Sequence, residues 1–147
     1  MYLDETDVMQ ISLFDYEPIE TEIVKSNVKQ NDIVVDIGAN IGYYTLIMAK
    51  LNSHVHSYEP EFRNFQLLKK NVIHNNFLSN VELYNKAVSN FNGKSKLFLS
   101  EFTPGEHTLN HDRFDGKKFV EVDVTKITLD RIDFAKIDVE GSELHVL

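Results

Sequence analysis

The sequence predicts an α/β protein: a mostly parallel sheet with helices on both faces. Three observations predict it. A β-branched apolar run at 33–37 ends on a glycine turn, Gly38-Ala39-Asn40-Ile41-Gly42, from which a helix over 43–50 opens. A second strand at 53–58 and a second helix at 60–75 repeat the alternation, and a third strand follows at 80–88. Near the end, 134–139 reads as one more parallel strand, with the start of a helix behind it.

The stretch 31–50, NDIVVDIGANIGYYTLIMAK, organises the rest. Its glycines allow a tight turn and a close approach of backbone N–H groups to a ligand. Asn40 is suited to cap the helix that follows, whose N-terminus would face that ligand with unpaired amides. A dinucleotide fingerprint needs its outer glycines five apart, whereas Gly38 and Gly42 are four apart and Asn40 stands in the middle. With Asp36 two residues ahead of the first glycine, the pattern D-x-G-x-N-x-G instead resembles motif I of the Rossmann-like methyltransferases that use S-adenosylmethionine. The plain alternative is a strand–turn–helix joint that holds no ligand.

At 147 residues the chain is sized for a single domain, 1–147. It divides into a covering segment at 1–30, a cofactor-binding core at 31–90, a β extension at 91–126 and a last strand with the start of a helix at 127–147. Ten Phe and six Tyr supply a core and argue against disorder. A formal charge of −8 and the lack of a basic cluster disfavour a nucleic-acid partner. There is no cysteine, hence no disulfide, no thiolate zinc site and no iron–sulfur cluster for radical chemistry. The first residues are acidic rather than basic, no apolar run reaches membrane-spanning length, and a cytoplasmic location is expected.

Taken in order, residues 1–16 are irregular, with a short strand expected at 9–14. Pro18 opens a helix whose Ile19, Ile23, Val24 and Val28 share a face, and Glu17, Glu20 and Glu22 suit its positive end. Glu17 could border a cofactor pocket, but its place at a helix start explains it as well. Glu59 closes the second strand 23 positions after Asp36, near the interval of a ribose-binding acid. A carboxylate there can accept from both ribose hydroxyls. In the helix after Pro60, the residues Phe62, Phe65, Leu68, Val72 and Ile73 are expected to face the sheet. Ala87 and Val88, at the end of the third strand, could pack on an adenine ring. Asn92-Gly93 signals a hairpin turn, so 81–88 and 95–100 should pair or meet at an angle. Gly116 marks a second turn, ahead of a strand at 118–124. In the loop 103–112, His107 and His111 on a helix could make half a metal site, but Pro104 and Gly105 oppose a helix and no third ligand is evident. No metal is expected. His54 and His56 alternate along a strand and read as packing residues.

The strand at 134–139 carries Lys136 and Asp138, and charges inside a parallel strand are costly unless paired. Ligands of open α/β sheets bind beyond the carboxyl ends of the strands, where Asp138 and Glu140 would emerge. Lys136 could instead serve an internal ion pair, with Asp36 on the neighbouring strand as a candidate. The two roles are compatible.

Three blocks, VVDIGANIGYYT at 34–45, YEPEFRNFQLLKKNV at 58–72 and ITLDRIDFAKIDVEGSEL at 127–144, together resemble the FkbM family of S-adenosylmethionine-dependent methyltransferases. The resemblance implies the class I methyltransferase fold and methyl transfer to a hydroxyl of a sugar or other small metabolite. It places Asp36, Gly38, Ala39, Asn40 and Gly42 at the methionine end of the cofactor and Glu59 at its ribose. Asp138 and Glu140 then lie by the methyl group and acceptor. Asp138 is the first candidate for the base and Glu140 the second, with Lys136 as orienting partner. The chain stops about one turn into the helix expected after Gly141. The fold therefore reads as incomplete at its C-terminus, with 134–139 as an open edge. A cofactor-binding fragment without activity is the competing reading, and an RNA methyltransferase a third, which the acidic balance disfavours.

Overall fold

The computed structural model describes residues 1–3, 16–99, 118–139 and 143–146. The strand expected at 9–14, the loop with His107 and His111, the turn at Gly116, and Glu140 all lie outside the described residues.

Helix α1 (Pro18–Asn27) precedes strand β1 (Ile33–Ile37), helix α2 (Tyr43–Lys50) and strand β2 (His54–Tyr58). Helix α3 (Phe62–His74) and strand β3 (Val81–Tyr84) complete the next repeat. Then come β4 (Ala87–Val88), β5 (Gly93–Phe98), β6 (Phe119–Thr125), β7 (Phe134–Ile137) and the single turn α4 (Glu143–Val146). Strands β3-β2-β1-β7 form a four-stranded sheet in that order, parallel throughout. This is the α/β arrangement with a mostly parallel sheet, of Rossmann-like kind. Central β1 is buried on both faces, which is why its sequence is nearly continuous hydrocarbon. Val34 joins Val55, Leu68, Val72 and Met48 in the core beneath α2 and α3, while Val35 and Ile37 pack with Tyr58 and Val88 on the other face. Strand β7 lies at one edge of the described sheet.

Several details depart from the sequence expectations. In α1 the inward residues are Thr21, Val24 and Val28, whereas Ile19 and Ile23 are 72% and 51% exposed. The Thr21 hydroxyl donates to the Tyr16 carbonyl (3.1 Å), so a polar residue takes the buried place that hydropathy gave to isoleucine. In α3, Leu68 and Val72 face inward as expected, yet Phe62 and Ile73 are exposed and Asn64 and Asn71 are buried. Asn71 is kept inside by hydrogen bonding: its Nδ2 donates to the Ile41 and Tyr2 carbonyls at 2.8 and 2.9 Å.

The third strand also divides. Asn85 Nδ2 donates to the Glu59 and Pro60 carbonyls (2.8 and 3.1 Å), ending β3 and sending Ala87 and Val88 into a second sheet of order β4-β6-β5. No hairpin forms at Asn92-Gly93. Strand β5 pairs antiparallel with β6, and Asn92 Oδ1 accepts the Lys126 amide at 2.8 Å instead. His56 stacks on Tyr84, whereas His54 is exposed. Among the described residues no helix is long and apolar enough to cross a membrane.

Candidate functional site

The carboxyl ends of β1, β2 and β7 converge on the turn after β1. Gly38 has φ +79°, a left-handed conformation, and a Cβ there would lie 1.9 Å from the Asp138 carbonyl oxygen. The residue is glycine because the end of β7 passes against it. The Gly38 and Ala39 amides both donate to the Tyr58 carbonyl at 3.0 Å, and Gly42 N–H donates to the Ala39 carbonyl at 2.8 Å. The turn is thus braced by its own backbone and by β2. Asn40 does not cap α2: it is itself left-handed (φ 51°), and Gly42, with φ +96°, stands at the cap without a side-chain bond. The Asn40 amide is aimed instead at Glu59 Oε2, 2.8 Å away.

Glu59 follows β2 and is buried, its carboxylate turned into the glycine turn. Oε1 accepts the Glu61 amide at 2.8 Å. Burial pushes its carboxyl up to about 7, opposed by the two amides, with the Glu61 and Asp36 charges adding to the rise. Each oxygen accepts one amide and keeps a second lone pair.

Asp36 on β1 is wholly buried. Its Oδ2 accepts the Thr45 hydroxyl at 2.6 Å, and Thr45 lies 2.8 Å from the Ser57 hydroxyl. Its Oδ1 has no partner among the described residues. Burial pushes this carboxyl up, and Lys136 and the Thr45 hydroxyl pull against it. The parallel register sets Asp36 beside Lys136, but the lysine's ion pair is with Asp138 on its own strand, Nζ to Oδ2 3.1 Å. Lys136 acts on Asp36 through its field only. Thr45→Val is expected to destabilise the protein by about 1–3 kcal/mol, because it strips the hydroxyl donor from a buried carboxylate. Urea unfolding at neutral pH checks this. The loss should shrink as pH falls, since a carboxyl raised by burial is protonated, and no longer penalised, at the acid end.

Asp138 is the open member of the group, its side chain 48% exposed beside an 18% exposed Lys136. Its amide donates to the Ile37 carbonyl at 2.9 Å, which anchors it at the level of the turn. The sheet therefore brings together Asp36, Gly38, Ala39, Asn40, Gly42, Glu59, Lys136 and Asp138. It does not bring Ala87, which is packed with Leu97, Val122 and Val124 in the core of the second sheet and offers no face to a ring. Glu140 lies outside the described residues. Two residues at the site were not singled out by sequence reasoning: Tyr44 and Thr45. The only signal for Tyr44 and Thr45 was their place in the first turn after the glycines. Glu17, set aside there as a helix-start charge, accepts the Tyr44 hydroxyl at 2.6 Å.

A parallel strand that ends in a glycine turn, with the acid of the next strand hydrogen-bonded to that turn, defines an α/β protein of the Rossmann-like class. The family model of the methyltransferase FkbM domain matches residues 36–147. The chain belongs to that family. Methyltransferase sdnD of Sordaria araneosa is 28% identical over 159 aligned positions, covering 83% of this chain and 61% of that protein. The chain thus spans about three-fifths of this relative's length. Among solved structures, a SAM-dependent O-methyltransferase of Thermotoga maritima is similar over 54% of this chain and 32% of its own, at 19% identity and TM-score 0.46. A SAM-dependent methyltransferase of Agrobacterium tumefaciens is similar over 50% and 25%, at 14% identity and TM-score 0.45.

Proposed function

We propose that the chain is the cofactor-binding part of an S-adenosylmethionine-dependent O-methyltransferase acting on a hydroxyl of a sugar or other small metabolite. The observation that carries this reading is Glu59, whose carboxylate is turned into the glycine turn and hydrogen-bonded to the Asn40 amide (2.8 Å). The residues fit such a cofactor. Glu59 keeps lone pairs for a ribose diol. Asp36 leaves one buried oxygen without a partner among the described residues, and Asp138 presents a half-exposed carboxylate. An acid-rich site of this kind suits a ligand that carries a sulfonium and an ammonium.

When bound, the cofactor supplies an electrophilic methyl group on sulfur. The protein's contribution is position: an acceptor oxygen must be held about 3 Å from that carbon and in line with the bond that breaks. Glu59 and the turn set one end of this geometry. Asp138 stands at the other and takes the acceptor's hydroxyl proton, while Lys136 at 3.1 Å holds the carboxylate oriented. A small-molecule or glycan acceptor is the partner, and a nucleic acid is disfavoured by the charge of −8.

Calorimetric titration with S-adenosylmethionine, paired with labelled methyl transfer to a panel of sugars and hydroxylated metabolites, tests the reading. Binding with transfer to a hydroxyl supports it. Binding without transfer reduces it to a cofactor-binding fragment, and no binding overturns it.

A pH dependence follows from Glu59. Ribose hydroxyls donate best to the ionised carboxylate, and the free protein holds this group near 7. Cofactor affinity should therefore rise about tenfold between pH 6 and pH 8, as the ionised fraction grows. Folding stability should move the opposite way, because a carboxyl raised by burial favours the folded state below its folded pKa and loses that contribution above it. Glu59→Gln should flatten both profiles, by calorimetry and by thermal unfolding.

A further inference from the structure

Among the described residues, Asp138 is not the sole neighbour of the Lys136 ammonium. The ammonium also sits over the ring of Tyr44, 4.9 Å from the centroid. Tyr44 is buried in the first turn of α2, and its hydroxyl donates to Glu17 Oε2 at 2.6 Å. Glu17 immediately precedes α1 and has φ 43° and ψ 65°, a left-handed conformation that a residue other than glycine adopts at a cost. Elements far apart in the chain, α1, α2 and β7, are thus joined by one chain of contacts that ends on the Asp138 carboxylate.

We propose that Tyr44, held in place by Glu17, is a positioning residue that seats the Lys136 ammonium and through it aims Asp138 at the acceptor. The inference rests on the methyltransferase reading of the site, with Asp138 as the base. A core position in α2 needs only hydrocarbon, and phenylalanine would fill it. The hydroxyl bonded to a carboxylate is the part that packing does not explain. A phenol that donates to a carboxylate becomes more electron-rich, and its face attracts a cation more strongly. Desolvation and the bond to Glu17 both raise the Tyr44 phenol far above its usual range, so it stays a donor at any working pH. Among the described residues, the charged and titratable groups around the ammonium are Asp138 after β7, Asp36 on β1, Tyr44 on α2, and Tyr16 and Glu17 ahead of α1. Tyr16 is raised in the same sense, by burial and then by Glu17, with Asp138 adding to it. Among the described residues this ammonium has one carboxylate within ion-pair distance, and the ring steers it there.

The test reads the lysine directly. With 15N-labelled lysine, the Lys136 ammonium resonance is assigned by its loss in Lys136→Arg, and its proton exchange rate is measured in the protein without ligand. Tyr44→Leu, which removes the ring face, should speed exchange at least tenfold. Tyr44→Phe and Glu17→Gln, which keep the core volume, should speed it severalfold. Val24→Ala, a cavity in the same core, should lower stability and leave the resonance unmoved. Should Tyr44→Leu not fold, the two milder variants carry the result. Unchanged exchange in both of them overturns the proposal, as does an equal change in Val24→Ala. In methyl transfer the same variants should lower kcat and leave KM for the cofactor within about twofold. Altered exchange in a protein that binds no cofactor would mean that the methyltransferase reading has failed, and the positioning role with it. Cofactor binding and transfer with unaltered exchange would sink the positioning role alone.

Discussion

Asp138→Asn is expected to lower turnover on the order of 10²–10⁴-fold while leaving cofactor affinity within about threefold of the parent. The two side chains match in shape, so the geometry at the end of β7 survives, including the amide bond to Ile37 (2.9 Å) that does not involve the side chain. What is lost is a lone pair able to take a proton. An alcohol that attacks while keeping its proton develops positive charge on oxygen, and water is a poor substitute base when the site is closed around the reactants. Among the described residues the half-exposed carboxylate makes no buried hydrogen bond whose loss could unfold the protein, so stability should change little. Lys136 loses its ion pair, but it keeps the Tyr44 ring and the field of Asp36. Initial rates of labelled methyl transfer, set beside calorimetric titration of the cofactor, separate the two quantities. If both fell by the same factor, Asp138 would be a binding residue and the base would have to be sought elsewhere.

The parallel sheet was legible in the sequence because its signals are local. A buried strand reads as a hydrocarbon run, a turn needs glycine, and an acid closes the following strand: β1, Gly38 and Glu59 are each visible without knowledge of the others. The roles of these residues were less legible. Gly38 reads in sequence as making room for a ligand, yet the nearest atom to a Cβ there is the Asp138 carbonyl, contributed by a strand a hundred residues later. Hydropathy placed Ile19 and Ile23 inward. The structure chose Thr21, because a hydroxyl bonded to a carbonyl is as acceptable inside as a methyl group. Asn64 and Asn71 were missed in α3 on the same account. The sequence puts Ala87 at the end of the third strand, but the Asn85 bonds to Glu59 and Pro60 end that strand early and send Ala87 into another core. The link from Glu17 through Tyr44 to Lys136 is purely tertiary. No spacing rule joins residues 17, 44 and 136.

Gly38→Ala is expected to cost about 3–5 kcal/mol of folding stability, against about 2–3 kcal/mol for Gly42→Ala. Both positions are left-handed, so each pays the conformational cost of an L side chain there, about 1–2 kcal/mol. The difference lies in what the new methyl group meets. At Gly42 it meets Leu68 Cδ1 at 2.7 Å, the far end of a side chain that can change rotamer within a core that resists but yields. At Gly38 it meets the Asp138 carbonyl oxygen at 1.9 Å, which is backbone. That oxygen can retreat only if the end of β7 moves away from β1, and the Asp138 amide bond to Ile37 opposes the movement. A domain of this size has a net stability of roughly 5–15 kcal/mol, so a loss at the upper figure removes a third or more of it. Urea unfolding of the two variants gives the ranking. Hydrogen exchange at the Asp138 amide gives the location: it should accelerate in Gly38→Ala well beyond the global loss and follow the global loss in Gly42→Ala. If Gly38→Ala proved no worse than Gly42→Ala, the end of β7 would be a yielding neighbour. Asp138 would then lack the fixed strand end that aims it.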